Sequence, residues 1–194
     1  MLLLGPIVEI GSLVINGSAR DIFDGCGETY TGVDIRPGRG VDVVADGAEY
    51  KHPEPVDLFV CCEVLEHVDN DKAKAIMRNI ADNLDIGGYL IVTCAAAADG
   101  KTRPGRAPHS VDGGPLGEGE FYRNVKFGQL RRWATEAGLF VEELERHGTD
   151  LRMLAINLKN EVVEDGEGVY DDDDDSDDEA PVSLSEALTE LDND

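Results

Sequence analysis

The run Val56-Asp57-Leu58-Phe59-Val60-Cys61-Cys62 is almost continuously apolar. A strand with that pattern must be covered on both faces, as a central strand of a parallel sheet is when helices lie above and below it. Residues 7–10, 30–34, 41–46 and 89–94 read as further strands. Between them run helical spacings. Residues 19–23 form a short helix. A longer one carries Ala73, Ile76, Met77, Ile80 and Leu84, capped by Asp69 or Asn70. A third carries Phe127, Leu130, Trp133, Ala134 and Ala137, with Gly138 as its stop. Residues 139–144 and 151–158 are two strands joined by a tight turn at His147-Gly148-Thr149-Asp150, so they must run antiparallel. The expected class is α/β: a three-layer sandwich on a mostly parallel, seven-stranded sheet, closed by a C-terminal antiparallel hairpin.

Charge divides the 194 residues in two. Residues 161–194 hold sixteen acidic side chains and no Lys or Arg, and removing them from the formal −24 leaves −8 for residues 1–160. We therefore expect a single domain over 1–160 and an acidic tail over 161–194 that self-repulsion keeps from compacting. Within the tail, Ser183-Leu184-Ser185-Glu186 has the form of a capping box, and Leu184, Leu188 and Leu191 share a helical face. That segment is a possible docking helix for a protein partner, set against the plainer reading of a solvated tail. An acidic body gives no support to nucleic-acid binding. Residues 1–10 are apolar but interrupted by Gly5-Pro6 and Glu9, with neither a basic start nor a cleavage pattern. The sequence reading is therefore cytoplasmic, without a membrane span. Cys26, Cys61, Cys62 and Cys94 lack disulfide or zinc spacing and read as small buried hydrophobes, and no metal site is expected.

In open α/β sheets ligands bind beyond the carboxyl ends of the strands, and three features fall there. Glu9-Ile10-Gly11-Ser12 leads into a loop completed by Asn16-Gly17-Ser18. The G-x-G-x-x-G spacing of dinucleotide sites fails, because Leu13 and Asn16 stand where its second and third glycines belong. A carboxylate at Glu9 would repel a pyrophosphate but suits a ligand bearing ammonium or sulfonium. Asp34, 23 residues beyond Gly11, can accept from ribose hydroxyls, or can simply form the turn before Ile35-Arg36-Pro37-Gly38. Asp46-Gly47 can meet an adenine edge, or be an Asp-Gly turn.

Val8-Glu9-Ile10-Gly11-Ser12, Gly32-Val33-Asp34, Ala45-Asp46, Cys62-Glu63-Val64-Leu65-Glu66-His67-Val68 and Leu84-Asp85-Ile86-Gly87-Gly88-Tyr89-Leu90 together resemble the class I S-adenosylmethionine-dependent methyltransferases, type 11 in particular. The resemblance covers roughly residues 5–158 and implies a Rossmann-like fold with S-adenosyl-L-methionine as cofactor. It puts Glu9, Gly11 and Ser12 at the methionine part, with Asn16 and Gly17 in the same loop. Asp34 and Ile35 then fall at the ribose, Asp46 and Gly47 near adenine, and Glu63 and Val64 at the end of the fourth strand. The first loop departs from the usual Gly-x-Gly-x-Gly, being longer and bulkier, with Asn16 and Ser12 available to cap the next helix.

Methyl transfer is a displacement on an already activated carbon and demands no fixed catalytic residue. His67 and His109 are the candidate bases, each with a packing or solvated alternative. Tyr122 and Arg123 close the glycine-rich stretch 96–125, which reads as a lid over the acceptor pocket, and Arg123 could hold an anionic group there. The acceptor itself, whether small molecule, glycan or protein, is left open. The competing readings are a catalytically inert adenosyl-binding scaffold and, less favoured, a nucleotide-dependent oxidoreductase or epimerase.

Overall fold

The computed structural model describes residues 4–96 and 108–158. All belong to the compact unit Met1–Val163; the second unit, Glu164–Asp194, and with it the expected tail helix, lies outside the described residues. The elements are β1 (Leu4–Ile10), α1 (Arg20–Phe23), β2 (Gly27–Asp34), β3 (Val43–Val44), β4 (Val56–Cys62), a 3-10 turn (Leu65–His67), α2 (Asn70–Asn83), β5 (Leu84–Ala95), α3 (Phe127–Glu136), β6 (Phe140–His147) and β7 (Asp150–Ile156). They build one seven-stranded sheet in the order β3-β2-β1-β4-β5-β7-β6. The first five strands pair parallel, and β7 lies antiparallel between β5 and β6. This is the expected Rossmann-like architecture.

The main core lies on one face, where Phe59 and Cys61 of β4 and Leu90 and Val92 of β5 meet α2 and α3 through Ile76, Met77, Ile80, Leu130 and Trp133. The other face is thinly covered. Its buried residues are Ile7, Leu58 and Val60, with Ala19 and Phe23 from the α1 region against them. Helix α2 starts where the sequence places it, with the Asp69 carboxylate accepting from Lys72 N at 2.8 Å. Buried Asn79 is fully used, donating to the carbonyls of Gly47 (2.9 Å) and Tyr50 (2.7 Å) and so tying the loop after β3 to α2.

Boundaries differ from the expectation in instructive places. Strand β3 shrinks from six residues to two because the Asp42 side chain substitutes for the ladder: its carboxylate accepts from Gly32 N at 2.7 Å while its own amide donates to Gly32 O at 2.8 Å. Strand β5 starts at Leu84 rather than at Tyr89. A register shift opposite Val56 and Leu58 absorbs Gly87, whose φ of 79° lies in the left-handed region that glycine tolerates. The hairpin turn narrows to Gly148-Thr149, with Gly148 at φ 64°. Neither Ser12 nor Asn16 caps α1; Ser18 Oγ accepts from Arg20 N at 3.1 Å instead. Cys61 and Cys94 are buried, Cys26 and Cys62 half-buried. Among the described residues no His, Cys, Asp and Glu cluster into a metal site, and no helix is long and apolar enough to cross a membrane.

Candidate functional site

The strand order reverses between β1 and β4, and a cavity of about 720 Å³ opens at the carboxyl ends of the strands there. The loop leaving β1 forms its floor. Gly11, at φ 82°, and Ser12 both donate from their backbone amides to Val33 O, at 2.8 and 3.1 Å, which folds the loop back over β2. A Cβ at Gly11 would collide with the Val64 side chain, so this close approach requires glycine. Asn16 and Gly17 line the cavity. Ser12 does not: it is buried beneath the loop, against Gly32.

Glu9 lines the cavity and is almost wholly buried. Its carboxylate accepts from the Tyr30 hydroxyl (2.8 Å) and from Ala19 N (3.3 Å). Burial raises its pKa, and the two donors oppose that rise. Tyr30 is shifted upward too, first by burial and then by the bond to Glu9.

Asp34 ends β2. One carboxylate oxygen accepts from Leu13 N at 3.3 Å and the other from Arg36 N at 2.9 Å, leaving lone pairs toward the cavity. Ile35 beside it is 67% exposed, and Ile22 is 71% exposed, yet both line the cavity. Asp46 makes both of the contacts available to it locally: its Oδ1 accepts from Ala48 N at 2.9 Å, as in an Asp-Gly turn, and its Oδ2 pairs with Lys72 at 2.6 Å. Hydrogen bonds from Lys72 and Ala48 hold its carboxyl below the ordinary range despite the opposing effect of burial. Gly47 also lines the cavity.

At the end of β4, Glu63 has φ 56°, the one positive value at a non-glycine among the described residues. Strand β5 holds it there: Glu63 N donates to Thr93 O at 2.8 Å and Thr93 Oγ1 donates to Glu63 Oε1 at 3.1 Å. Glu63 and Val64 face the cavity, whereas Glu66 is fully buried behind them, with Oε1 accepting from Ala95 N at 3.2 Å. Burial first, and the neighbouring Glu63 carboxylate next, push Glu66 up to about 8.

His67 and His109 both line the cavity, their ring centroids 5.0 Å apart; Tyr122 packs edge-on to His67 at 5.5 Å and tilted against His109 at 4.8 Å. Burial, then His109, lowers the His67 pKa. The stretch 96–125 contributes His109, Val111 and Gly113 to the wall, and Asp112 pairs with Arg36 at 2.9 and 3.3 Å; residues 97–107 lie outside the described ones. Arg123, considered for an anionic acceptor, does not face the cavity. Its guanidinium stacks on Trp133 at 4.8 Å and bonds Asn70.

The sequence reading passed over Leu13, Tyr30, Arg36, Lys72 and Thr93. Only Arg36 carried a signal, lying two residues after Asp34 in a turn already marked.

No family model matches this sequence, and no curated protein matches it. Solved structures do. An S-adenosylmethionine-dependent methyltransferase from Clostridium acetobutylicum superposes with a TM-score of 0.60 at 12% identity, over 80% of this chain and 85% of that one. The fold is that of the S-adenosylmethionine-dependent methyltransferases. The Burkholderia thailandensis 1,6-didemethyltoxoflavin-N1-methyltransferase, solved with 1,6-didemethyltoxoflavin and S-adenosylhomocysteine, gives 0.60 at 15% identity over 80% of this chain and 72% of that one. Human N-acetylserotonin methyltransferase, solved with S-adenosylmethionine, gives 0.57 at 14% identity over 79% of this chain; the methyltransferase fold described here spans 48% of that longer chain.

Proposed function

We propose that this chain is a methyltransferase using S-adenosyl-L-methionine, and the observation that carries the reading is Asp34. It closes β2, the strand beside β1, lines the cavity there, and has both carboxylate oxygens oriented by backbone amides with acceptor capacity to spare. A vicinal diol is the ligand group that matches two adjacent acceptors of this kind. The chain's other features fit the same ligand. Exposed Ile35 offers an apolar surface to a flat base, and Gly47 with Asp46 borders it. Glu9, at the β1 end, supplies negative charge for an ammonium and a sulfonium, in the loop of Gly11, Ser12, Asn16 and Gly17. Glu63 and Val64 would border the methyl-bearing end.

The cofactor, when bound, supplies a methyl carbon on a good leaving group. The chain's own task is then to align an acceptor and exclude water. His67, neutral at pH 7 because burial and His109 disfavour its charged form, can accept a proton from the acceptor, with His109 beside it. His109, Val111 and Gly113 of the 96–125 stretch line one side of the cavity, which supports a role as a lid. The acidic tail is assigned at most a partner-binding part.

Calorimetric titration with S-adenosylmethionine, S-adenosylhomocysteine, NAD and NADP, repeated with Asp34→Ala, tests the reading. Micromolar adenosyl binding, weakened by about a hundredfold in the variant, is expected from losing two hydrogen bonds to a charged group. Preference for a dinucleotide, or no adenosyl binding, would overturn it. Adenosyl binding without product on a broad acceptor panel would leave an inert adenosyl-binding protein.

A further inference from the structure

We infer that Lys72 reads the base of the bound nucleoside together with Asp46: its ammonium donates to a ring nitrogen while the carboxylate accepts from the exocyclic amine beside it. That the base is adenine rests on the cofactor reading above; the part given to Lys72 goes beyond it.

Helix α2 sets the cation in place. Its cap, Asp69, accepts from Lys72 N at 2.8 Å, which fixes the Lys72 backbone in the first turn. The side chain then reaches to the end of β3, where Nζ donates to Asp46 Oδ2 at 2.6 Å. Ile76, one turn further along and on the same helix face, lines the cavity with Lys72, and so does Val68 just before the helix. The wall that α2 gives the cavity is therefore an ammonium flanked in sequence by two aliphatic side chains.

A tether between the β3 end and α2 does not need this pair. Buried Asn79 already joins them, its amide donating to Gly47 O at 2.9 Å and to Tyr50 O at 2.7 Å. The ion pair is partly open to solvent, with 39% of the Lys72 side chain and 32% of the Asp46 side chain accessible, and a pair of that kind adds little to stability. Both residues line the cavity, so the pair is placed to meet a ligand. Asp46 above all, with Glu49 and Asp69 adding to it, keeps the ammonium charged.

The hydrogen-bonding capacity left over matches one kind of base edge. Asp46 Oδ1 accepts from Ala48 N and Oδ2 from Lys72 Nζ, and each carboxylate oxygen has a second lone pair. An ammonium has three donors, and Lys72 directs one of them at Asp46. An acceptor and a donor thus stand 2.6 Å apart at the cavity wall. Adenine carries the complementary order, an amine donor next to a ring-nitrogen acceptor, on its N1 side and on its N7 side alike. Hypoxanthine has a carbonyl oxygen where adenine has the amine, and that oxygen would face the carboxylate. Sliding the oxo base until its N1–H met Asp46 would pull the ribose off Asp34. Ile35 and Ile76, which line the same cavity, can meet the faces of the ring.

S-adenosylhomocysteine, its 1-deaza and 7-deaza analogues and S-inosylhomocysteine differ only in the base, so calorimetry of all four on the full chain isolates the contact. The parent is expected to bind one of the two deaza analogues about tenfold more weakly than S-adenosylhomocysteine, the loss of one charge-assisted bond. Which analogue suffers tells N1 from N7. The inosyl compound should bind about a hundredfold more weakly, because its oxygen faces Asp46. In Lys72→Met, confirmed folded by its thermal transition, the deaza deficit should vanish while the inosyl deficit, which belongs to Asp46, persists. Lys72→Arg, which keeps a charged donor, should retain the deaza deficit. Equal binding of S-adenosylhomocysteine and both deaza analogues to the parent, or an undiminished deaza deficit in Lys72→Met, would overturn the inference and leave the cofactor reading standing. Uniform weakening of all four ligands in Lys72→Met would assign Lys72 to the fold and overturn it as well. Failure of all four to bind the parent would remove the cofactor reading, and this one with it.

Discussion

The Tyr30 hydroxyl donates to the Glu9 carboxylate at 2.8 Å, one strand across. Register explains why they meet. Tyr30 pairs with Ile7, two residues before Glu9, and residues two apart on a strand share a face. The bond opposes the burial that would otherwise favour the neutral acid at Glu9. Tyr30→Phe should therefore weaken adenosyl-ligand binding about fivefold and cost about 1–2 kcal/mol of stability at pH 7. The sign with pH follows from the raised Glu9 pKa. Below about pH 4.5 Glu9 is protonated folded and unfolded alike, so the variant's deficit should shrink there. Urea unfolding of both proteins at pH 4.5 and pH 7 measures it, and an equal deficit at both would contradict the assignment.

Glu66 titrates in the opposite sense to most structural carboxylates. Folding raises it to about 8 from an ordinary 4.5, so between those values the folded chain holds a proton that the unfolded chain has released. Stability tied to this proton is present below about pH 4.5 and is lost as the pH rises through about 8. Glu66→Gln keeps an oxygen for Ala95 N and removes the titration. The variant should gain on the order of 2 kcal/mol over the parent between pH 5 and pH 9, with its denaturation midpoint flatter across that range. A parallel pair of midpoint curves would show that Glu66 is ionised in the fold.

How much of this was readable beforehand depended on whether a contact is local. Strand β4, helix α2 and its Asp69 cap follow from apolar spacing and one capping residue, and they stand where expected. Glu9, Gly11, Asp34 and Asp46 were marked because a strand end followed by a glycine or an acid is visible in a short window. Other parts depend on register between distant strands. Tyr30 meets Glu9, and Thr93 meets Glu63, across 21 and 30 residues, and no spacing rule links them. Position within a loop was equally unreadable: Ser12 looked like its neighbour Gly11, but two amide bonds to Val33 O turn it under the loop. Arg123 shows the same limit. Its partner Trp133 lies one helix later, and stacking there outweighs any pull toward the cavity.

Arg36 and Asp112 join the turn after β2 to the 108–113 segment through two hydrogen bonds, with both side chains substantially exposed. An exposed pair contributes about 0.2–1 kcal/mol, too little to matter to the fold and enough to change how long a ligand held under the segment stays bound if the segment acts as the proposed lid. Asp112→Asn should speed adenosyl-ligand dissociation by about two- to fivefold while leaving the thermal transition within about 1 °C of the parent. Raising the salt concentration should narrow the gap between variant and parent, because screening weakens the parent's pair. Stopped-flow dissociation at two ionic strengths checks both statements, and a gap that grows with salt would exclude the ion pair as its cause.

Glu63 holds a left-handed backbone beside the buried Glu66 carboxylate, and a substitution can relieve both. Holding a non-glycine residue in the left-handed region costs about 1–3 kcal/mol, and asparagine relieves much of it because it is at home there. Glu63→Asn also removes the like charge that bears on Glu66. Against these gains stands the Thr93 hydroxyl bond to Glu63, worth about 1 kcal/mol net. The balance favours the variant, which should be about 1 kcal/mol more stable than the parent at pH 8, where Glu66 has begun to ionise, and less so at pH 5, where it is protonated. Urea unfolding of both proteins at pH 5 and pH 8 measures the difference. Loss of stability at both pH values would instead assign Glu63 to the fold.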